Sequence, residues 1–468
     1  MRKKKSLGLL IISLLTTSSF AREISLEEAI QTGLQNNYEV KASEKMVKSK
    51  EYAYQSAKGY MYPSLTFSEM FMRTNEPGYA MWNTMSQKKL DFMTSSKFVD
   101  MTALNPMFSG MGISFAKPSY PEVNSWRTKL ELQVPIYTGG KISSGIEMSK
   151  RDYESAKNEY TRSKEKAIYD ISKAYYGALL AKEAIKLANQ AYKDAEKHYQ
   201  TAQSMVKNGL AIPADELRAK VYMSEMSAKI KEAENNYLVA KRGLLLAMGL
   251  DKADPSEIDV VGNLVCENIE KPVEEYQNYA LSNRSDLLSV REKIKMAQKY
   301  VDFNKADLLP TIGAFASYEL NDGKWMLGNE GKWWMAGVAL NWKIFDGFQS
   351  FNKYKSAKEM YDHYKQQEKG FEEFIKFNVY KAYKDYLTSK EKLKTEIENV
   401  KYAEEILKVT ETRYKNQLAS MIDLLDTQTM FDKIKFDKAQ AEYNCQLSVL
   451  ELKYQSGLLI QENQKRGE

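Results

Sequence analysis

The chain has 468 residues, enough for one large domain or two to three ordinary ones. Its formal net charge is +6, but Arg2, Lys3, Lys4 and Lys5 supply four positive charges before any acid, so the remainder carries 6 − 4 = +2. That near-neutral balance lacks the basic footprint of a nucleic-acid binder, and no nucleic-acid partner is expected.

The start of the chain reads as a secretory signal over residues 1–21. The four basic residues precede an apolar run, Leu7–Leu15, and small residues at Ser19 and Ala21 fit the cleavage rule. The run is too short to span a bilayer, so a membrane anchor is the weaker reading. No Cys follows the signal, so no lipid attachment is expected there. No later stretch is long and apolar enough for a transmembrane helix, so any membrane span must be a β-barrel.

Next comes an amphipathic helix over 25–60, and with it an internal duplication. Glu27, Glu28, Leu34, Asn36 and Pro63 recur as Glu274, Glu275, Leu281, Asn283 and Pro310, always 247 residues later. From Ile136 against Ile344 the offset is 208, and it is still 208 at Asn208 against Asn416 and at Asp215 against Asp423. The first repeat is read as 22–262 and the second as 263–468. The difference of 39 between the offsets marks an insertion between Pro63 and Pro135, which must be a surface loop because its flanks keep register. The insertion is rich in methionine: Met70, Met72, Met81, Met85, Met93, Met101, Met107 and Met111. Thioethers bind Cu(I), but adaptable apolar packing is the plainer reading with no Cys or His nearby.

Strands are expected at 64–73 and 126–138 in the first repeat and at 311–320 and 333–345 in the second. Leu130, Leu132, Val134 and Ile136 alternate with Lys129, Glu131, Gln133 and Pro135, a period of two. Trp334, Ala336, Val338, Leu340, Trp342 and Ile344 share one face in the same way. Trp334 and Trp342 suit the aromatic belts of a membrane interface; a soluble sheet core is the alternative reading of the same pattern.

Long helices follow each strand pair, at 140–207, 214–248, 348–415 and 421–455. Ile168, Ile171, Tyr175, Ala178, Ile185, Ala188, Tyr192, Ala195, Tyr199, Ala202 and Val206 form a heptad seam, broken once by Lys182. A helix from Gly139 to Lys207 would be roughly 100 Å long, deeper than any ordinary globular core. Turns at Asn208-Gly209 and near Leu418–Ser420 reverse the chain. The segment from Gly249 to Pro272 reads as a polar linker.

The expected fold class is a mixed α/β membrane protein with four strands per chain and a long coiled coil. Four strands cannot close a barrel, and an open edge cannot sit in lipid, so several chains must share one. Two chains give an eight-strand barrel filled by side chains; three give twelve, with room for a pore. No metal spacing, nucleophile motif or phosphate loop is present, so no enzyme activity, metal or cofactor is expected. Cys266 and Cys445 could pair in an oxidising compartment, but two small buried residues is the favoured reading. His198 and His363 fall inside helical patterns and read as packed or solvated positions. A secreted structural or adhesive coiled coil without channel activity remains the alternative; it would show the heptads without needing the strands.

The order and spacing of these motifs resemble the TolC-type outer-membrane factor family. Ile24-Ser25-Leu26-Glu27-Glu28-Ala29 with Asn36-Asn37 resembles the family's entry. So do Tyr62-Pro63, Leu309-Pro310, Val134-Pro135-Ile136-Tyr137-Thr138-Gly139-Gly140 and Ile344-Phe345-Asp346-Gly347. The turns match too, at Asn208-Gly209-Leu210-Ala211 with Asp215 and at Tyr414 with Asp423-Leu424-Leu425-Asp426.

The resemblance implies a homotrimer with a shared barrel in outer-membrane lipid. A helical tunnel would extend into the periplasm and receive cargo from an inner-membrane transporter through a periplasmic adaptor. The adaptor would dock at the turns, Asn208, Gly209, Leu210 and Ala211 with Asn416, Gln417, Leu418, Ala419 and Ser420. Asp423 and Asp426 would form a cation-binding carboxylate ring at the closed tip; without the resemblance a solvated helix face is the plainer reading. Tyr414 would hydrogen-bond Asp215 to hold the tip shut. The family's arginine position corresponds to Ala419, so half of that clasp is absent here.

Overall fold

The computed structural model describes residues 22–460, and the leader expected over 1–21 lies outside them. In chain order the elements are β1 (Arg22–Ile24), α1 (Leu26–Asn36), α2 (Tyr38–Gly59) and β2 (Ser64–Thr74). Three short helices follow, α3 (Pro77–Ser86), α4 (Phe92–Ser95) and α5 (Asn105–Phe108), then β3 (Val123–Tyr137), α6 (Lys141–Lys207) and α7 (Pro213–Ala247). The second half holds β4 (Ile258–Val260), α8 (Val273–Asn283), α9 (Ser285–Lys305), β5 (Thr311–Asp322), β6 (Gly331–Asn341), α10 (Gln349–Lys415) and α11 (Met421–Ser456). The duplication is visible in this order: α6 and α10 are each 67 residues long.

The chain forms two compact bodies. One comprises 48–155 and 291–367 and contains a four-stranded antiparallel sheet in the order β2-β3-β5-β6. Register sorts most of the mid-strand side chains by polarity, with Glu69 and Lys332 on the mainly apolar face and Met70, Met72, Phe315, Trp333 and Met335 on the mainly polar one. One face carries Leu65, Phe67 and Phe71, then Trp126, Leu130 and Leu132, then Ala316, Tyr318 and Leu320, then Trp334, Ala336, Val338 and Leu340. The other carries Thr66 and Ser68, then Arg127, Lys129, Glu131 and Gln133, then Ser317, Glu319 and Asn321. Alternation of this kind is what a strand between lipid and water requires.

β6 ends at Asn341 rather than continuing to 345. Past that point the Trp342 indole donates to the Leu308 carbonyl at 3.3 Å, and Gly347 and Phe348 both adopt left-handed backbone on the way into α10. Trp342 therefore leaves the row that Trp334, Ala336, Val338 and Leu340 share.

Among the described residues, the other body comprises 22–47, 156–290 and 368–460. Its main core gathers Ile30, Val40, Ile168, Ile171, Tyr175, Ala178, Leu244, Met248 and Leu450. Gly33 lies against this seam so closely that an added Cβ would fall 2.3 Å from Ile171 Cδ1. The segment read as a polar linker contains β4, which pairs in parallel with β1. Tyr175 donates from its hydroxyl to Ile24 O at 2.9 Å and also reaches Val261 O. Lys182, the break in the heptad seam, donates to Asp259 Oδ2 and Val260 O, both at 2.7 Å. Lys182 thus holds the small sheet on the coiled coil.

Cys266 and Cys445 are joined in a disulfide, with Cα atoms 5.5 Å apart, correcting the reading of two separate buried residues. Cys445 is fully buried beside Tyr386 and Val449, while Cys266 lies in the connection after β4. The bond ties that connection to α11, and such bonds persist in oxidising compartments.

Candidate functional site

The two helical turns share one backbone design. At the first, Leu210 N donates to Met205 O at 2.8 Å, Gly209 N to Val206 O at 3.1 Å, and the Asn208 side chain to Ser204 O at 2.9 Å. At the second, Leu418 N donates to Arg413 O at 2.8 Å, Gln417 N to Tyr414 O at 3.0 Å, and the Asn416 side chain to Thr412 O at 2.9 Å. These bonds satisfy carbonyls that a helix end leaves orphaned. The pattern needs a left-handed residue after the Asn, and Gly209 (φ 67°) and Gln417 (φ 60°) occupy that place. Asn208, Gly209, Leu210, Asn416, Gln417, Leu418 and Ser420 are exposed, while Ala211 and Ala419 are partly covered.

An apolar cluster brings the two turns together. Ala202, Ala219, Leu407, Tyr414, Met421 and Leu424 are buried in it, with Met205 and Ala419 at its margin. Tyr414 is only 4% exposed, and its hydroxyl has no hydrogen-bond partner among the described residues. Burial, and then the nearby Asp215 carboxylate, push that hydroxyl's pKa above the ordinary tyrosine value. The bond expected between Tyr414 and Asp215 is thus absent in the single chain; Asp215 pairs instead with Arg218 at 3.3 Å.

Asp423 sits at the third position of α11 and closes a capping box with Ser420. The Ser420 hydroxyl and backbone hold its carboxyl below the usual carboxylate range, with a smaller contribution from Arg413. Asp426 is exposed one turn on. Arg413, which sequence reading passed over, donates to Leu418 O at 3.2 Å and so closes the turn beside the residue that replaces the family's arginine, Ala419.

A buried polar chain was also missed. His198 of α6 bonds Gln428 of α11 at 3.1 Å, Gln428 donates to Asp432 at 3.0 Å, and the Tyr222 hydroxyl of α7 donates to Asp432 at 3.2 Å. The helical spacing of Gln428 and Asp432 hinted at a shared face. Their partners on α6 and α7 carry no local signal.

At the sheet, Trp334 is 79% exposed on the apolar face, and Trp342 is exposed beyond the strand end. Among the described residues no group of three or more His, Cys, Asp or Glu is arranged to hold a metal, and no helix is long and apolar enough to cross a membrane.

Amphipathic barrel-type strands, paired long helices and duplication define a class of outer-membrane channel. The sequence profile of the outer membrane efflux protein family matches residues 29–250 and 277–457, one stretch in each repeat. The chain belongs to that family and is an outer-membrane efflux channel. Its fold is similar to that of CusC, studied for the conformational changes accompanying folding and transmembrane channel formation, at 12% identity and TM-score 0.76 over 95% of each chain. It is similar also to VceC from Vibrio cholerae, at 14% identity and TM-score 0.72 over 92% of this chain and 96% of that one. The CmeC channel of Campylobacter jejuni gives 15% identity and TM-score 0.73 over 94% and 89%. No curated protein sequence matches the chain significantly.

Proposed function

We propose that three copies form one outer-membrane duct that passes cargo from an inner-membrane transporter, received through a periplasmic adaptor, to the exterior. The duct would serve a tripartite efflux or type I secretion system. The observation that carries this reading is the pair of open sheet edges. β2 and β6 are each 11 residues long, and among the described residues each has a partner on one side only. They run antiparallel to each other, so β6 of one chain can pair with β2 of the next and keep alternation around a ring. Strands of this length, about 37 Å along the chain and tilted by about 40°, rise about 28 Å, close to the apolar band of outer-membrane barrels. Twelve strands from three chains leave a pore; eight from two do not. The apolar sheet face also speaks against a secreted adhesive coiled coil, which has no use for it.

In this reading the helices reach into the periplasm and the adaptor docks at the exposed turns, Asn208–Ala211 and Asn416–Ser420. Asp423 and Asp426 ring the tip. Native mass measurement on protein extracted from outer membranes should return a trimer, and a monomer or dimer would overturn the assembly. Charged residues inserted at Gly209 and Leu210 should abolish export while leaving the trimer in the membrane. Unchanged export would remove the turns from the docking role.

A further inference from the structure

Thr74 and Val123 stand directly opposite one another in the β2–β3 register. A two-residue turn could join them, yet residues 75–122 intervene. This segment has a core of its own: Phe92, Phe108 and Phe115 meet at ring distances of 5.3–5.9 Å, and the Asn105 side chain bonds both the backbone N–H and the carbonyl of Phe115. It is a folded body, not a slack loop.

Its seat is on the polar face of the sheet, at the strand ends away from the helices. The Trp333 indole donates to Ser86 O at 2.7 Å, and Gln87 Nε2 donates to Asn124 O at 2.7 Å. Asn83 Nδ2 approaches Met72 Sδ at 3.8 Å, and Lys89 pairs with Glu330. Met72, Trp333 and Gly331 all project to the polar side, and a Cβ on Gly331 would collide with Ser86 O. The segment therefore starts between β2 and β3, crosses β5 and grips the first residues of β6. Ser125 and Asn321, on the same face, are buried. The residues that α3 buries, Ala80, Asn83, Thr84 and Ser86, are small or polar and suit a seat on a water-facing wall.

We infer that residues 75–122 form the size-determining constriction of the duct's outer mouth, held on the pore-facing side of the barrel by Ser86, Gln87 and Trp333. This rests on the duct reading, in which the polar face lines the pore. A twelve-strand barrel tilted by about 40° is about 24 Å across between backbones. A helix with its side chains is about 10 Å thick. Three copies of α3 and its flanking turns, one from each chain, fill most of that bore.

Cysteine labelling on whole cells tests this. Ser317 lies mid-strand on the polar face, and Ala316 beside it on the apolar face. A small charged maleimide added outside should label Ser317→Cys and spare Ala316→Cys, while a polymer-bearing maleimide should label neither. Replacing 75–122 by a two-residue turn should let the polymer reagent reach Ser317→Cys. Trp333→Phe with Gln87→Ala, which keeps the segment and removes two of its bonds, should give part of that access. Polymer labelling of Ser317→Cys with the segment intact would overturn the constriction and leave the duct reading standing. So would exclusion of the polymer in both altered proteins when each is recovered as a trimer. Equal labelling of Ser317→Cys and Ala316→Cys by the small reagent would instead overturn the duct reading.

Discussion

Ser420 and Asp423 hold each other at the start of α11: Asp423 N donates to Ser420 Oγ at 3.1 Å, while Ser420 N and Oγ donate to Asp423 Oδ2 at 2.9 and 2.7 Å. One carboxylate of the proposed gate is therefore also a helix cap. Removing its side chain would change charge and structure together, and the gate must be probed with a substitution that separates them.

Asparagine does so, because its carbonyl oxygen can accept the same bonds. Asp423→Asn with Asp426→Asn should weaken cation selectivity and abolish block by divalent or trivalent cations in planar bilayers, with no change in trimer melting. A ring of carboxylates favours cations by Coulomb attraction, and in the proposed trimer three copies would bring six together. Asp423→Ala should additionally fray the first turn of α11. Parent-like selectivity in the double asparagine protein would put the charge filter elsewhere.

Tyr414→Phe should leave melting unchanged or raise it by up to about 1 kcal/mol of stability, because the hydroxyl it removes is buried without a partner. Conductance should not change. A fall in stability, or a larger conductance, would mean that the hydroxyl finds its partner on a neighbouring chain in the trimer. Thermal unfolding and single-channel recording of the same preparation decide between these outcomes.

The Cys266–Cys445 bond closes a long loop, with a sequence separation of 179. Reduction, or Cys445→Ala, should cost about 2–5 kcal/mol. Melting with and without reductant, beside a thiol titration, measures it. If two free thiols appear and melting does not move, the bond contributes nothing to stability.

The legible features were those written in local periodicity or repeated spacing. Period two at Leu130, Leu132 and Val134 shows because a barrel strand faces lipid and water in turn. The constant offset of 208 carries the left-handed position from Gly209 to Gln417, although glutamine alone gives no sign of it. What stayed hidden depends on distant partners. β1 and β4 are three residues each and pair across the whole first repeat. Lys182 looked like a flaw in the seam because Asp259, which receives it, is far along the chain. The seat of the insertion on β6 is fixed by Trp333, which stands beside Trp334 in sequence and has no local mark of its role.

The buried chain of His198, Gln428, Asp432 and Tyr222 should make tip stability depend on pH. Burial raises the Asp432 carboxyl above its ordinary value of 3.8; Gln428, Tyr222 and Lys435 oppose that shift, and the Asp194 charge adds to it. A carboxyl with a raised folded-state pKa binds its proton more tightly in the folded than in the unfolded chain. Its stabilising effect is therefore full below 3.8, lost as pH rises through the higher folded value, and flat above that. Asp432→Asn removes this titration while keeping an oxygen for Gln428 and a polar group for Tyr222. Relative to the variant, the parent should lose stability across that window and stay the less stable of the two up to neutral pH. Denaturant unfolding of parent and variant from below pH 3.8 to neutrality reads the difference directly. Parallel stability curves through the window would show that Asp432 does not titrate with folding. A variant that is less stable at neutral pH would show that the ionised carboxylate strengthens the chain of bonds more than burial penalises it.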